Sequence, residues 1–352
     1  MRLAIDTFQI IEGGYLRDIL DQPGALTATL KQLEISSDLA TLAARLRSGQ
    51  IKRVLLTGMG ASFHALHPLF LQLNTCSYTA LAMETSELVH SLQSWFQPQT
   101  LIIAVSQSGQ SAEVVRLIEE NRGRAAIVGV TNAADSPLAQ RANALILTEA
   151  GEESSVSCKT YLTVLMALHL LGGFLCGCDP SRTQEELAQI SPAVAAYLLP
   201  WRDHVFAMAK ELEQIHHIFL LGRGNSLAAA GEGALIIKES VRLYAEAMSG
   251  AAFRHGPLEM VSRDAFAVLF AGAEPTRALQ ARLRGDIRDA GARTAWISQD
   301  TDPGPWNLPT TPASVSPMLE ILPVQMITLA IAANANVEAG RFARIPKITT
   351  TE

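Results

Sequence analysis

The stretch 104-AVSQSGQSAEVVRLIEE-120 sets Ser106, Gln107, Ser108 and Ser111 between an apolar run and a segment with the spacing of an amphipathic helix. Hydroxyls and amides there add hydrogen-bond donors without adding a fixed charge. A helix N-terminus already offers free N–H groups and the positive end of the helix dipole. The combination suits a phosphate monoester on a small molecule. A single serine at this place would act as a helix cap, but a cap accounts for one hydroxyl and not for the set. The corresponding place later in the chain, 272-GAEPTRAL-279, has no such cluster. If one half of the chain holds the phosphate, it is the first.

Two further stretches, 55-LLTGMGASFHA-65 and 219-FLLGRGNSLAA-229, share a strand, a GxGxS turn and a helix start. They pair Gly58 with Gly222, Gly60 with Gly224 and Ser62 with Ser226, which favours a duplicated α/β domain. A GxG turn after a strand also invites a dinucleotide reading. The third glycine of that fingerprint is missing, replaced by Phe63 and by Leu227, although Glu84 stands where a ribose-binding carboxylate would sit. The sequence reading therefore expects no cofactor.

The elements that would position these residues follow from the apolar pattern. Strands are predicted over 54–59, 78–83, 101–106, 125–131 and 144–149, with helices over 62–74, 85–95 and 111–122, and a long apolar helix over 157–177. After a polar region at 179–200, a second cycle predicts strands over 218–224, 265–272 and 293–298, with helices over 227–243 and 275–290. A Pro-rich loop then leads to an apolar helix over 318–335. Strands that are apolar throughout and separated by helices make a parallel sheet covered on both faces, so the class is α/β. In the leader, YLRDILDQPGALTATL reads as two helices separated by a turn at Pro23–Gly24.

With 352 residues, two domains are the natural prior. The net charge of −6 excludes a general polyanion binder, since nucleic-acid affinity rests on clustered Lys and Arg. Cys76, Cys158, Cys176 and Cys178 form no CxxC pair and have no zinc-like histidine spacing, so no metal is expected and they read as reduced core thiols. No signal peptide and no uninterrupted membrane-spanning run is evident. A soluble, cytoplasmic protein with no membrane partner is the expectation.

The turn GMGAS, the loop SQSGQSAE, GEESSVSCKTY (151–161), LGRGNSLAAAGEGALIIKES (221–240) and AEAMSGAAFRHGP (245–257) resemble, in this order, the sugar isomerase (SIS) domain proteins. Within them the chain is most similar to the isomerase half of glucosamine-6-phosphate synthase and to stand-alone phosphosugar isomerases and aminosugar-phosphate deaminases. The likeness includes the tail RIPKITTTE. It implies two tandem SIS domains of flavodoxin-like three-layer build. The expected boundaries are a leader at 1–35, a first domain with the phosphate loop at 36–180, a second at 200–335, and an active-site tail at 336–352.

The resemblance also implies roles. Ser106, Gln107, Ser108 and Ser111 would hold a sugar 6-phosphate, and Ser62 and Ser157 would contact the sugar. Glu239 would move a proton between C1 and C2, His255 would open the ring, and Lys347 would close over the open-chain sugar. In relatives the histidine comes from a neighbouring subunit, which implies a homodimer with shared active sites.

The chain departs from the family pattern in three ways. Ile236 stands where a lysine is usual, which removes a cation from beside Glu239 and favours a raised pKa for this carboxylate. Ala61 and Cys158 replace hydroxyl residues. Met1 is not followed by the nucleophilic cysteine of a glutamine-hydrolysing domain, so glutamine-dependent amidotransfer by this chain alone is not expected. The implied activity is isomerisation of a hexose or hexosamine 6-phosphate, with or without deamination. Two other readings stand beside it: a deglycase acting on amine-linked sugar phosphates, and a non-catalytic sugar-phosphate sensor. Lys238 reads as a surface lysine and Glu232 as an interface or core-edge carboxylate.

Overall fold

The computed structural model describes residues 9–274, 276–342 and 344 of the chain. Its packing divides into two compact units. Of the described residues, the first takes Gly24–Glu152, Lys159–Ala188 and Arg344; the second takes residues 9–23, Glu153–Cys158 and the described part of 189–342.

The first unit contains five parallel strands: β1 (Arg53–Gly58), β2 (Ala80–Glu84), β3 (Thr100–Val105), β4 (Ala126–Thr131) and β5 (Ala144–Leu147). Their order in the sheet is β2-β1-β3-β4-β5. Every residue of β3 is buried, as an apolar central strand with helices on both faces requires. One face packs Leu55, Ile102, Ala104 and Ile127 against Leu88, Val114, Leu117 and Leu138. These last four residues come from the helices Thr85–Ser91, Ala112–Asn121 and Pro137–Arg141. The helix His67–Thr75 and the long helix Lys159–Leu175 pack on each other.

The second unit contains four parallel strands: β6 (His217–Gly222), β7 (Tyr244–Ser249), β8 (Ala265–Phe270) and β9 (Arg293–Ile297), in the order β7-β6-β8-β9. Phe219, Leu221, Ala267 and Leu269 meet Phe253, Leu283 and Ile287 on one face. The helices Ser226–Val241, Trp201–Glu211 and Ile321–Ala335 pack together in the same unit. The helical run Ser316–Ala335 has the length and hydropathy of a membrane span, but 83% of that stretch is buried inside the fold, which makes it a core helix.

The α/β class and the two parallel sheets match the sequence reading, with several local differences. β7 was not predicted: it is an edge strand whose residues are exposed or half-buried, so it lacks the continuous apolar run that marked the others. The expected helix 62–74 is two, Ala61–Ala65 and His67–Thr75. The turn expected at Pro23–Gly24 is the first turn of the helix Gln22–Gln32. Proline fits there because the first N–H groups of a helix have no intrahelical partner. Of the four expected core thiols only Cys158 is buried; Cys76 and Cys178 are exposed and Cys176 is half-buried. Cys76 caps one helix end, and Cys176 and Cys178 lie just past another, beyond the faces that pack into the core.

Candidate functional site

In the first unit the strand order reverses between β1 and β3, since β2 lies on one side of β1 and the rest of the sheet on the other. Open parallel sheets bind ligands beyond the carboxyl ends of their strands at such a reversal. The GMGAS turn leaves β1 at this place and the serine loop leaves β3. Ser62, Ser106, Gln107, Ser108 and Ser111 are therefore brought to one edge of one sheet.

Gly58 ends β1 where a Cβ would sit 3.0 Å from the Val105 carbonyl oxygen and 3.1 Å from the Phe63 nitrogen. Gly60 follows with φ +52° and ψ −125°, a backbone that side chains with a Cβ avoid. Ser62 is half-buried in the first turn of the short helix that this turn starts.

The serine loop is held by its own backbone. Ser106 Oγ accepts from the Gly109 N–H at 3.1 Å, and the Gln107 carbonyl accepts from the Asn132 N–H at 3.1 Å and from Thr131 Oγ1 at 3.2 Å. Gly109 has φ +61°, and a Cβ there would lie 2.1 Å from Ser136 Oγ. Gln107, Ser108 and Ser111 remain half-exposed. Ser111 occupies the N-cap position of Ala112–Asn121, yet its hydroxyl makes no capping hydrogen bond. Sequence reasoning missed Glu113, buried in the first turn of this helix with Oε2 lacking a hydrogen-bond partner among the described residues.

The second sheet has the same reversal, between β6 and β8, and the same turn. Gly224 takes φ +55°, matching Gly60. Here, however, Ser226 is only 2% exposed and donates to Glu320 Oε1 at 2.9 Å. Burial pushes the Glu320 carboxyl up to about 8, against the pull of that hydrogen bond. Glu320 was also missed; its only signal is a carboxylate heading an otherwise apolar helix. The two turns thus differ in use: the first leaves its serine half-exposed, and the second ties its serine to a buried acid.

The second unit also holds Glu239, His255 and Ser157. Glu239 is half-buried near the end of the helix Ser226–Val241, and desolvation raises its carboxyl to about 7, opposed by the Lys238 ammonium. Lys238 is exposed and Ile236 fully buried. Glu232, expected at an interface or core edge, is instead 0% exposed, and neither of its oxygens has a hydrogen-bond partner among the described residues. It lies on a helix packed against Ile321–Ala335, which removes that face from solvent. Desolvation first, then the nearby Glu239 and Glu153, hold its proton affinity well above the usual carboxylate range.

The Glu153–Cys158 segment belongs to this unit: Glu153 Oε1 accepts from the Cys158 N–H at 2.9 Å, and Asp18 Oδ2 accepts from the Ser154 N–H and hydroxyl at 2.8 Å each. Ser157 lies in it, half-buried, two residues before the long helix. Tyr15 is buried against Thr328 and feels Cys158, Glu232 and Glu239 electrostatically. His255 is exposed, after the helix Gly250–Phe253 and before Gly256 at φ +136°. Lys347 lies outside the described residues. Among the described residues, no group of three His, Cys, Asp or Glu is placed to hold a metal ion.

Two parallel α/β sheets with repeated glycine turns and a hydroxyl-rich loop at one strand reversal define a class, and the comparisons agree with it. The SIS domain matches residues 49–172 and 211–303, and the chain belongs to that family. It is 29% identical over 97% of its length to the glutamine–fructose-6-phosphate aminotransferase (isomerizing) of Pyrococcus horikoshii, and the match covers 59% of that protein. The chain thus spans under two thirds of the length of such relatives. In structure it resembles the C-terminal domain of glucosamine-fructose-6-phosphate aminotransferase from Francisella tularensis: TM-score 0.82, 20% identity, 94% of this chain and 98% of the other. It also resembles glucosamine-6-phosphate deaminase from Thermotoga maritima: TM-score 0.76, 19% identity, 96% of this chain and all of the other.

Proposed function

We propose that this chain binds a hexose or hexosamine 6-phosphate and moves its carbonyl between C1 and C2, with release of ammonia where the substrate is an aminosugar. The observation that carries the reading is the loop Ser106–Ser111. It sets half-exposed donors at the strand reversal beside a helix whose N-cap hydroxyl is not spent on capping. The kinship with sugar-phosphate enzymes supports the choice of ligand.

Glu239 is the base in this reading. Its carboxyl, raised to about 7 by burial, is matched to taking a proton from C2 and returning it to C1 near neutral pH. In water a carboxylate with an ordinary pKa would be a weaker base for this step. Glu232, on the same helix, has its proton affinity raised well above the usual carboxylate range by burial first and then by Glu239 and Glu153. His255, exposed on a loop, is the ring-opening residue and is supplied to a second copy of the chain; Lys347 closes over the open-chain sugar.

The test is incubation with fructose, glucose, glucosamine and galactosamine 6-phosphates in D2O, following by NMR the C2 proton of the aldoses and the C1 protons of fructose 6-phosphate. Exchange with at least one of them, lost in Glu239→Gln, is the expected result. Tight binding of a sugar phosphate with no exchange would leave a binding protein and remove the enzyme reading. For the shared site, mixing Glu239→Gln with His255→Ala chains should restore part of the activity; no recovery would place both residues in one chain's site.

A further inference from the structure

In the first unit two helix ends meet at one carbonyl. The helix His67–Thr75 ends at Cys76, whose N–H donates to the Gln72 carbonyl at 2.9 Å. Cys176, one residue past the long helix, brings its Sγ to that same carbonyl at 4.0 Å. After burial, the neighbouring Cys76 thiol is the group that most raises the proton affinity of Cys176. The junction is pinned from both sides: Tyr78 Oη donates to the Leu175 carbonyl at 3.2 Å, and an Arg47 guanidinium nitrogen donates to the Phe174 carbonyl at 3.2 Å. Cys76 is exposed and Cys176 half-buried, while Cys178 is exposed close by. Two thiol residues brought to one carbonyl by two packed helix ends, with one of them open to solvent, have the requirements of thiol–disulfide exchange: access for the first attack and a neighbour for the second.

We propose that Cys76 and Cys176 form an oxidisable thiol pair that takes a low-molecular-weight disulfide as its oxidant and closes to an intramolecular disulfide. The exposed Cys76 thiolate attacks one sulfur of the small disulfide, forms a mixed disulfide and expels one small thiolate. Cys176 then gives its proton to solvent and attacks the Cys76 sulfur, and the second small thiol leaves. Two protein thiols are oxidised and one small disulfide is reduced to two thiols. Burial first, then the neighbouring Cys76, push the Cys176 thiol well above the usual thiol range, so the second step is slow and accelerates with pH. The bond closes a loop that contains β2 to β5 and the serine loop. Such closure stabilises by constraining the unfolded chain.

The full chain, folded and reduced, is incubated with glutathione disulfide, quenched by alkylation at intervals and mapped by mass spectrometry. A glutathione adduct on Cys76 appears first and is replaced by a Cys76–Cys176 cross-linked peptide, faster at pH 9 than at pH 7. The thermal midpoint rises on oxidation and returns with dithiothreitol. Cys176→Ser stops at the Cys76 adduct and shows no rise; Cys178→Ser behaves as the parent. Cys176 remaining open to alkylation while Cys76 is fully glutathionylated would overturn the proposal, as would a cross-link from Cys76 to Cys178.

Discussion

Glu239 owes its raised pKa to where its helix runs, because desolvation outweighs the opposing Lys238. Exchange at C2 should therefore rise with pH through about 7 and level off above it, as expected for a carboxylate that must be ionised to act. Ile236→Lys would set a cation one helical turn from both Glu232 and Glu239 and move that midpoint to lower pH by about one unit, equivalent to roughly 1.4 kcal/mol. A pH–rate profile of the variant checks it, and an unmoved midpoint would show that Ile236 has no part in tuning the base. Ser111 gives a second residue-level test. Its hydroxyl makes no cap, so Ser111→Ala should leave the denaturation midpoint nearly unchanged while weakening sugar-phosphate binding several-fold by calorimetry. Ser36 does cap, accepting from the Leu39 N–H at 3.2 Å, and Ser36→Ala should cost about 1 kcal/mol with binding unaltered.

At the scale of elements, the turns after β1 and β6 repeat one solution, with Gly60 and Gly224 both at positive φ. Gly60→Ala should cost about 1–3 kcal/mol in urea unfolding, because a Cβ is unfavourable at that φ and ψ. Little or no loss would mean the turn relaxes to another conformation. These turns were legible in the sequence because glycine spacing is a local signal. The use of each turn was not, since it depends on Glu320, which lies far along the chain from Ser226 and meets it only in the fold. β7 escaped prediction for a related reason: an edge strand with little burial carries no continuous apolar run. The stop between Ala61–Ala65 and His67–Thr75 was likewise hidden within a single helical pattern.

For the molecule as a whole, buried acids set the dependence of stability on pH. Glu239 and Glu320 have folded-state values of about 7 and about 8, and Glu232 is raised as well. Between the ordinary carboxylate range and these values the folded chain keeps protons that the unfolded chain releases. Stability is then fully present at low pH and is lost as pH rises through the folded values. His169 and His204, both lowered by burial, act in the opposite direction, but only below their ordinary value of 6.5. The thermal midpoint should therefore fall between about pH 6.5 and pH 8 by on the order of 5 °C. Glu320→Gln should flatten that fall in calorimetric scans across this range; an unchanged slope would mean that Glu320 is not protonated in the folded state.

The sequence by itself determined the α/β class, the repeated glycine turns and the serine loop, because each is written in neighbouring residues or in a short apolar period. It also marked Glu239 and His255 as residues to watch. Only the tertiary structure decided burial: it placed Ser226 against Glu320, sealed Glu232 inside the core and brought Cys76 to Cys176 while leaving Cys76 exposed. Proton affinity and thiol proximity depend on which distant segments exclude water from a group, and that is settled when the chain packs.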